Sequence, residues 1–247
     1  MTAHPLVSLW RGDFLESQHR GHVVVMHADG HIIESYGDPD HVILPRSSCK
    51  MIQALPLLES GAADRAGLTP AQLALACASH QGAAIHTTRV DRWLYDLGVG
   101  DDDLRCGPQM PNDIPARNAL IQANAFPCRI HNNCSGKHAG FLTMVKDQGW
   151  GPEYHAPEHP LQRMVRDAFE RAVGETSPGF GIDGCSAPNF ACSITGLARA
   201  MAQFAGASEG PMVRLRDAMM AHPDLVAGDT RACTELMQAC PGIAIKT

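Results

Sequence analysis

Ser47 and Lys50 stand three residues apart at the start of a predicted helix and could act as a nucleophile and its base. Residues three apart share one face of a helix, so the lysine amine can reach the serine oxygen. A serine hydroxyl needs a base to remove its proton, and a lysine serves only when its pKa is lowered. Arg46 supplies a positive neighbour, and the helix N-terminus favours a developing oxyanion. Alone, the S-x-x-K spacing is a weak signal, because it arises by chance in many chains.

A lysine and a threonine, Lys246 and Thr247, close the sequence after a long helical region. On a predicted strand this pair resembles the K-T-G box of serine β-lactamases and penicillin-binding proteins, which lies beside the S-x-x-K serine. The glycine of that box would be residue 248, which the sequence does not contain. The alternative interpretation is an ordinary exposed lysine.

A dense polar cluster, residues 131–140, runs directly into a hydrophobic helix. Polar residues at a helix start often present backbone N–H groups and side chains to a ligand. Cys134 and His138 could also bind a metal, whereas Lys137 is a rare type of metal ligand because it must first lose its proton. The alternative is a capped helix start that contains a buried cysteine.

Two further segments carry candidate residues. In residues 181–189, Asp183 and Cys185 point the same way if the chain is extended, and the carboxylate could hold a substrate ammonium. The alternative for this segment is a tight turn. Ser79 directly follows an apolar helix, where its hydroxyl can face a cleft. A dyad with His80 is geometrically unfavourable, because adjacent side chains diverge.

The elements that must position these residues are strands at both ends of the chain with helices between them. Two β-branched runs around Asp29-Gly30 predict a hairpin. A helix is predicted from Ser47 to Gly61 with a kink or early stop at Pro56, and another begins at Thr69. Residues 100–135 are predicted to be mostly loop, with the exception of the stretch near 116–125. Helices are predicted over 86–98, 137–149, 161–174, 194–207 and 211–228, and a strand begins over 241–247.

This order predicts an α+β fold in which the terminal strands pair in one antiparallel sheet covered by helices. No internal repeat or linker interrupts it, so a single domain, 1–247, is predicted. The net charge of −6 gives no general attraction for nucleic acid or anionic membranes. The N-terminus predicts no secretory signal. Nine cysteines without a CxxC pair favour reduced thiols in the cytoplasm.

Six segments occur in the order found in the rhizobial-type L-asparaginases: PRSSCK, CASHQG, HNNCSGKHAGF, GIDGCSAP, CTELM and IKT. The match covers essentially the whole chain, and HNNCSGKHAG is highly specific. The chain is therefore identified as a member of this family. The resemblance implies a fold similar to serine β-lactamases and glutaminases. It also implies a homodimer that hydrolyses the small molecule L-asparagine to L-aspartate and ammonia.

The resemblance also assigns residues to roles. Ser47 is expected to attack the substrate with Lys50 as base, assisted by backbone N–H groups and by a second Ser-Lys tandem. Cys233, in the CTELM segment, is expected near the site without an assigned role. The second tandem is Ser79 with Lys246; the zinc ligands are Cys134, Lys137 and Cys185; the substrate pocket is lined by Arg46, His138 and Asp183.

Family chains usually continue beyond the K-T pair, so residues 1–247 are expected to lack the C-terminal strands and helix of the family. Lys246 is accordingly expected to fray. Two other functions remain open. A serine hydrolase of the β-lactamase or penicillin-binding type explains S-x-x-K and K-T but not the Cys, Lys and Asp clusters. A zinc-dependent amino-acid-binding protein without turnover is the other.

Overall fold

The computed structural model describes residues 2–247 and places two β-hairpins before a largely helical region. The strands are β1 (His4–Arg11), β2 (Phe14–Gly21), β3 (Val23–Met26), β4 (Ile32–Tyr36), β5 (Val42–Ile43), β6 (Phe180–Ile182), β7 (Pro188–Phe190) and β8 (Cys192–Ser193). The α-helices are α1 (Lys50–Gln53), α2 (Leu55–Glu59), α3 (Ala62–Arg65), α4 (Pro70–Ala76), α5 (Ala84–Asp96), α6 (Ile114–Gln122), α7 (Ser135–Gln148), α8 (Pro160–Val173), α9 (Ile194–Gly206), α10 (Gly210–Ala221), α11 (Pro223–Val226) and α12 (Ala232–Ala239). Short 3-10 helices cover Arg46–Cys49, Asp101–Asp103 and Arg129–His131.

The predicted N-terminal hairpin is confirmed. Strands β3 and β4 pair antiparallel with Val23 opposite Tyr36, and their turn contains Gly30 at a φ of 89°. Glycine adopts this left-handed conformation without the steric cost that a Cβ would bring. A second hairpin, β1 with β2, precedes it and turns through Gly12.

The helix that carries the S-x-x-K motif is interrupted, as Pro56 predicts. The 3-10 helix Arg46–Cys49 continues into α1, and Ala54 separates α1 from α2, which has Pro56 in its first turn. Proline has no N–H to donate to the preceding turn, so one continuous helix cannot form across it. Lys50 therefore opens a short helix that is buried along its whole length.

Helix α7 is the central helix of the molecule, because every residue from Ser135 to Val145 is buried. Helix α4 packs against it, and Gly136 permits this close approach. A Cβ at Gly136 would lie only 2.4 Å from the Leu75 carbonyl oxygen. Helix α4 begins as predicted, with Thr69 accepting a hydrogen bond from the Gln72 N–H and Pro70 at the first helical position. The residues at the start of α7 are thus enclosed by protein on several sides.

Helices α3 and α12 are additions to the sequence prediction, and the helix predicted over 211–228 is divided into α10 and α11. The remaining helices agree with the prediction. The α+β class is confirmed, but the arrangement of strands differs from the prediction. Residues 2–247 contain four separate two-stranded antiparallel sheets: β1–β2, β3–β4, β5–β8 and β6–β7. In the described residues, no helix has the length and apolar character needed to cross a membrane.

The predicted C-terminal strand does not form, so the two ends of the chain do not pair in one sheet. Residues 243–247 have no regular secondary structure and no strand partner among the described residues. Ile245 packs against the helical core and Lys246 binds a serine side chain, so side-chain contacts hold this segment. Its β-branched residues favour extended backbone, but this preference does not supply a neighbouring strand.

Candidate active site

The start of α7 places Cys134 and Lys137 in the protein interior. Cys134 is the residue before the first helical turn, Lys137 lies in that turn, and both are buried. The Asn132 Oδ1 accepts a hydrogen bond from the Cys134 N–H at 2.9 Å and fixes the loop that enters the helix. The positive end of the helix dipole favours negative charge at this position.

Cys134 and Cys185 approach each other from α7 and from the loop between β6 and β7, and their thiols are hydrogen-bonded. That hydrogen bond, together with the charge of Lys137, lowers the pKa of Cys185 to about 4 despite burial. The same hydrogen bond and burial raise the pKa of Cys134. The pair therefore favours negative charge at the Cys185 sulfur over negative charge at the Cys134 sulfur.

Lys137 completes this group, with its Nζ 3.3 Å from the Cys185 Sγ. Burial lowers the pKa of Lys137, but the negative charge favoured at the neighbouring Cys185 sulfur outweighs burial and raises that pKa. No cluster of three or more His, Cys, Asp or Glu side chains suited to a metal occurs in residues 2–247. Two sulfurs and a nitrogen nevertheless match the ligand preference of zinc, provided that Lys137 and Cys134 lose their protons. The residues that the resemblance assigns to zinc thus lie together.

Ser79 and Lys246 form the tandem that the resemblance implies. The Lys246 Nζ donates a hydrogen bond to the Ser79 Oγ at 2.9 Å. Burial, reinforced by the positive charge of Lys50, lowers the pKa of Lys246 to about 8. The expected fraying of Lys246 does not occur, because its side chain is held at Ser79. A lysine with this pKa is partly neutral near pH 8 and can accept the serine proton.

A cavity of about 340 Å³ opens onto this pair. Cys233 lines it, as expected for a residue near the site, with its Sγ 3.3 Å from the Thr247 Oγ1. The polar residues that line the cavity are Ser79, Thr230, Arg231, Cys233, Lys246 and Thr247. Its basic side chains are Arg231 and Lys246, and no Asp or Glu side chain of residues 2–247 lines it, so it suits a small polar substrate with a negative group.

Ser47 and Lys50 lie on consecutive turns, but the lysine amine is bound elsewhere. Its Nζ donates to the Ala78 carbonyl oxygen at 2.6 Å and to the Cys134 Sγ at 3.1 Å. An ammonium has three N–H donors, so one remains for other partners. The pairing of Ser47 with Lys50 therefore stays a prediction. Lys50 instead connects the zinc-type cluster to the residue before Ser79.

The backbone N–H groups around Ser79 are already engaged. The Ser79 N–H donates to the Val226 carbonyl at 2.9 Å, and the His80 N–H donates to the Asn133 carbonyl at 3.1 Å. These two groups are therefore not free to stabilise an oxyanion in this conformation. They instead hold the loop that carries the serine.

Arg46 and Asp183 meet in a second cavity of about 260 Å³. The Arg46 Nε donates to the Asp183 Oδ1 at 3.2 Å, and the Asn189 Nδ2 donates to the Asp183 Oδ2 at 3.3 Å. Arg46 has a φ of 51°, a conformation that costs a side-chain-bearing residue on the order of 1 kcal/mol. The cavity therefore offers an exposed cation and a fixed carboxylate side by side.

His138, the third expected pocket residue, is fully buried on α7. The Arg105 N–H donates to the Tyr154 hydroxyl, which lies 2.8 Å from the His138 Nδ1. Burial lowers the pKa of His138 well below its usual value, so the ring is neutral. Among the described residues, its Nε2 has no hydrogen-bond partner. Its role in substrate binding stays a prediction.

Two residues that line the cavities, Asn189 and Arg231, have no role assigned by the sequence analysis. Asn189 supports Asp183, but an asparagine after a turn carries no distinctive signal in a single sequence. Arg231 lies in the Ser79 cavity and has no side-chain partner among residues 2–247. Surface arginines are common, and only the fold distinguishes this one.

Residues 7–247, essentially the whole chain, match the model of the L-asparaginase II family. No curated protein matches the chain. The identification made from the six sequence segments is therefore confirmed at the level of the family: this chain belongs to the L-asparaginase II family and is an asparagine-hydrolysing enzyme.

Proposed function

We propose that the enzyme releases ammonia from L-asparagine through a serine nucleophile and a lysine base, and that Ser79 and Lys246 are the working pair. The observation that carries this proposal is the 2.9 Å hydrogen bond between their side chains. The lowered pKa of Lys246, about 8, supports it, because a base must be neutral to accept a proton. Both side chains also line one cavity that admits a small substrate.

In the proposed reaction, neutral Lys246 takes the proton of the Ser79 hydroxyl while the Oγ attacks the side-chain amide carbon. Lys246 then returns the proton to the amide nitrogen, the C–N bond breaks and ammonia leaves. Water attacks the resulting aspartyl ester and gives a proton to Lys246. L-Aspartate departs as that proton passes back to the Ser79 oxygen.

Ser47 is the alternative nucleophile, with Lys50 as its base. The contacts of Lys50 favour a different role for this lysine. It donates to the carbonyl beside Ser79 and to the Cys134 sulfur, and its charge lowers the pKa of Lys246. Lys50 would then position the Ser79 loop and favour the neutral, proton-accepting form of Lys246.

The family resemblance assigns substrate recognition to Arg46, Asp183 and His138, and we adopt this assignment in the proposal. The Arg46 guanidinium would bind the α-carboxylate, since arginine matches carboxylate geometry. Asp183 would bind the α-ammonium, and its two partners hold the carboxylate in place. The neutral His138 ring would offer to the substrate its Nε2, which has no hydrogen-bond partner within residues 2–247.

Cys134, Lys137 and Cys185 would hold a zinc ion. Their mutual contacts and the lowered pKa of Cys185 support this assignment. When bound, zinc would supply a Lewis-acidic positive charge that orders these residues and binds substrate. Lys137 and Cys134 would release protons on binding the metal, so zinc affinity should fall at acidic pH.

We further propose that the α+β chain has the serine β-lactamase-like fold. Support comes from the S-x-x-K motif at a helix start and from the lysine-threonine pair beside a second serine. The homodimer and the cytoplasmic location are proposals that follow from the resemblance and from the cysteine content. Sedimentation equilibrium would test the dimer.

An ammonia-release assay on asparagine tests the proposed function. Ser79→Ala and Lys246→Met should each lower kcat by about a thousandfold or more, as expected for essential groups. Ser208→Ala and Lys146→Met are matched controls, because both side chains are exposed. Loss of activity in Ser47→Ala with full activity in Ser79→Ala would move the nucleophile to Ser47.

Two further outcomes distinguish the alternative functions. Faster turnover of nitrocefin than of asparagine would favour the β-lactamase type. Calorimetric binding of asparagine without ammonia release would favour the amino-acid-binding protein.

A further inference from the structure

His80, directly after the proposed nucleophile, is a fully buried residue with a complete set of hydrogen bonds. Its ring Nε2 lies 2.9 Å from the Ser135 Oγ, and its Nδ1 accepts from the Gly82 N–H at 3.2 Å. The Ser135 hydroxyl donates onward to the Ile130 carbonyl at 2.8 Å. The mechanism proposed above does not use this histidine.

The partners of the ring determine which nitrogen carries the proton. Gly82 donates to Nδ1, so the proton of the neutral ring is on Nε2 and is donated to Ser135. Ser135 can accept this bond because its own proton goes to Ile130. Burial, followed by the charges of His86 and Lys50, lowers the pKa of His80 well below its usual value. The ring therefore keeps one tautomer and one orientation.

A second histidine extends this arrangement to the other side of Ser79. The His86 ring stacks on His80 with centroids 4.8 Å apart and planes inclined by 9°. Its Nε2 lies 3.0 Å from the Asp224 carbonyl, two residues before Val226, which accepts the Ser79 N–H. The two rings thus bridge α7 and α11 around the serine.

We propose that His80 is a positioning residue that holds the Ser79 loop between the start of α7 and helix α11. Through Ser135, the residue after Cys134, it also links the nucleophile to the cluster at the start of α7. This inference rests on the proposed function only in taking Ser79 as the nucleophile. His80 does not touch the substrate.

The kinetic consequence follows from geometry. The Lys246–Ser79 hydrogen bond is a single contact, so a shift of the loop by about 1 Å would misalign the nucleophile, which can cost about a hundredfold in rate. Substrate-binding residues lie on other segments, so the affinity for asparagine should change little. A residue needed only for folding would instead lower stability and leave the folded fraction fully active.

Three variants test this inference. His80→Phe keeps a ring for stacking but removes both hydrogen bonds, whereas the Gln side chain of His80→Gln can still donate to Ser135. Ser135→Ala removes the partner of the His80 Nε2 hydrogen bond. This variant tests the positioning role of His80 if His80→Phe does not fold. His19→Phe is the control, because His19 is exposed on β2.

We expect kcat to fall by about a hundredfold in His80→Phe with KM within about threefold, and His80→Gln to recover most of the loss. Hydrogen exchange should accelerate in residues 77–83 of His80→Phe but not across α8 and α9. Exchange reports on the loop even if asparagine turnover fails in the wild type, which separates this inference from the proposed function. Wild-type kcat in a folded His80→Phe or Ser135→Ala, unchanged exchange in the loop, or a Gln variant no better than Phe would overturn it.

Discussion

Raising the pH from 7 to 9 should increase kcat/KM for asparagine, because Lys246 must lose its proton to accept one from Ser79. Its pKa is lowered to about 8 by burial first and by the charge of Lys50 second. With that pKa, about one tenth of Lys246 is neutral at pH 7 and about nine tenths at pH 9. The expected gain is therefore about tenfold, and half of the maximal rate should be reached near pH 8.

The assay is ammonia release at low asparagine concentration, measured in small pH steps at constant ionic strength. Lys146→Met is the matched control, since this exposed lysine should leave the profile unchanged. Lys50→Met removes a positive charge near Lys246, which makes the Lys246 ammonium more stable. Its inflection should therefore move to higher pH.

A rate that is flat from pH 7 to pH 9, or that falls over this range, would refute Lys246 as the base. An inflection between pH 4 and pH 6 would indicate a carboxylate or a histidine instead. An unchanged inflection in Lys50→Met would show that the charge of Lys50 does not act on Lys246.

Four further predictions concern the zinc ligands, the substrate pocket and the helices. Cys134→Ala should lose most of the expected one zinc per chain by metal analysis, and retention of zinc would exclude Cys134 as a ligand. Asp183→Asn should raise KM for asparagine by about tenfold or more with a smaller change in kcat. The same substitution should change KM for succinamate little, because succinamate lacks the α-amino group. Equal changes in KM for both substrates would contradict the ammonium contact. Gly136→Ala should destabilise the protein by about 2 kcal/mol in urea titration, because its Cβ would lie 2.4 Å from the Leu75 carbonyl oxygen. Wild-type stability would mean that α4 and α7 can separate. Thr69→Ala should cost about 1 kcal/mol by loss of the cap of α4, and no change in urea midpoint would argue against that cap.

Features that depend on a few neighbouring residues could be predicted from the sequence. The hairpin at Gly30, the break before Pro56 and the cap at Thr69 each follow from the conformational limits of single residues. The prediction of a C-terminal strand was wrong for a complementary reason. Extended backbone is a local preference, whereas a strand needs a partner, and here Ile245 and Lys246 are held by side-chain contacts instead.

The candidate site depended on contacts between distant parts of the chain. Ser79 and Lys246 are 167 residues apart, and only the family resemblance linked them before the structure did. Lys50 shows the limit of spacing arguments. Its position suggests Ser47 as a partner, yet its amine binds the Cys134 sulfur, 84 residues away.

The most direct test of the central claim is to identify the serine that carries the acyl group during turnover. The enzyme would be mixed with excess asparagine, quenched in acid within the first turnovers and digested for peptide mass mapping. The expected result is an aspartyl ester on Ser79. The Lys146→Met enzyme treated without substrate should carry no such ester. An ester on Ser47 with none on Ser79, in enzyme that releases ammonia, would contradict the account.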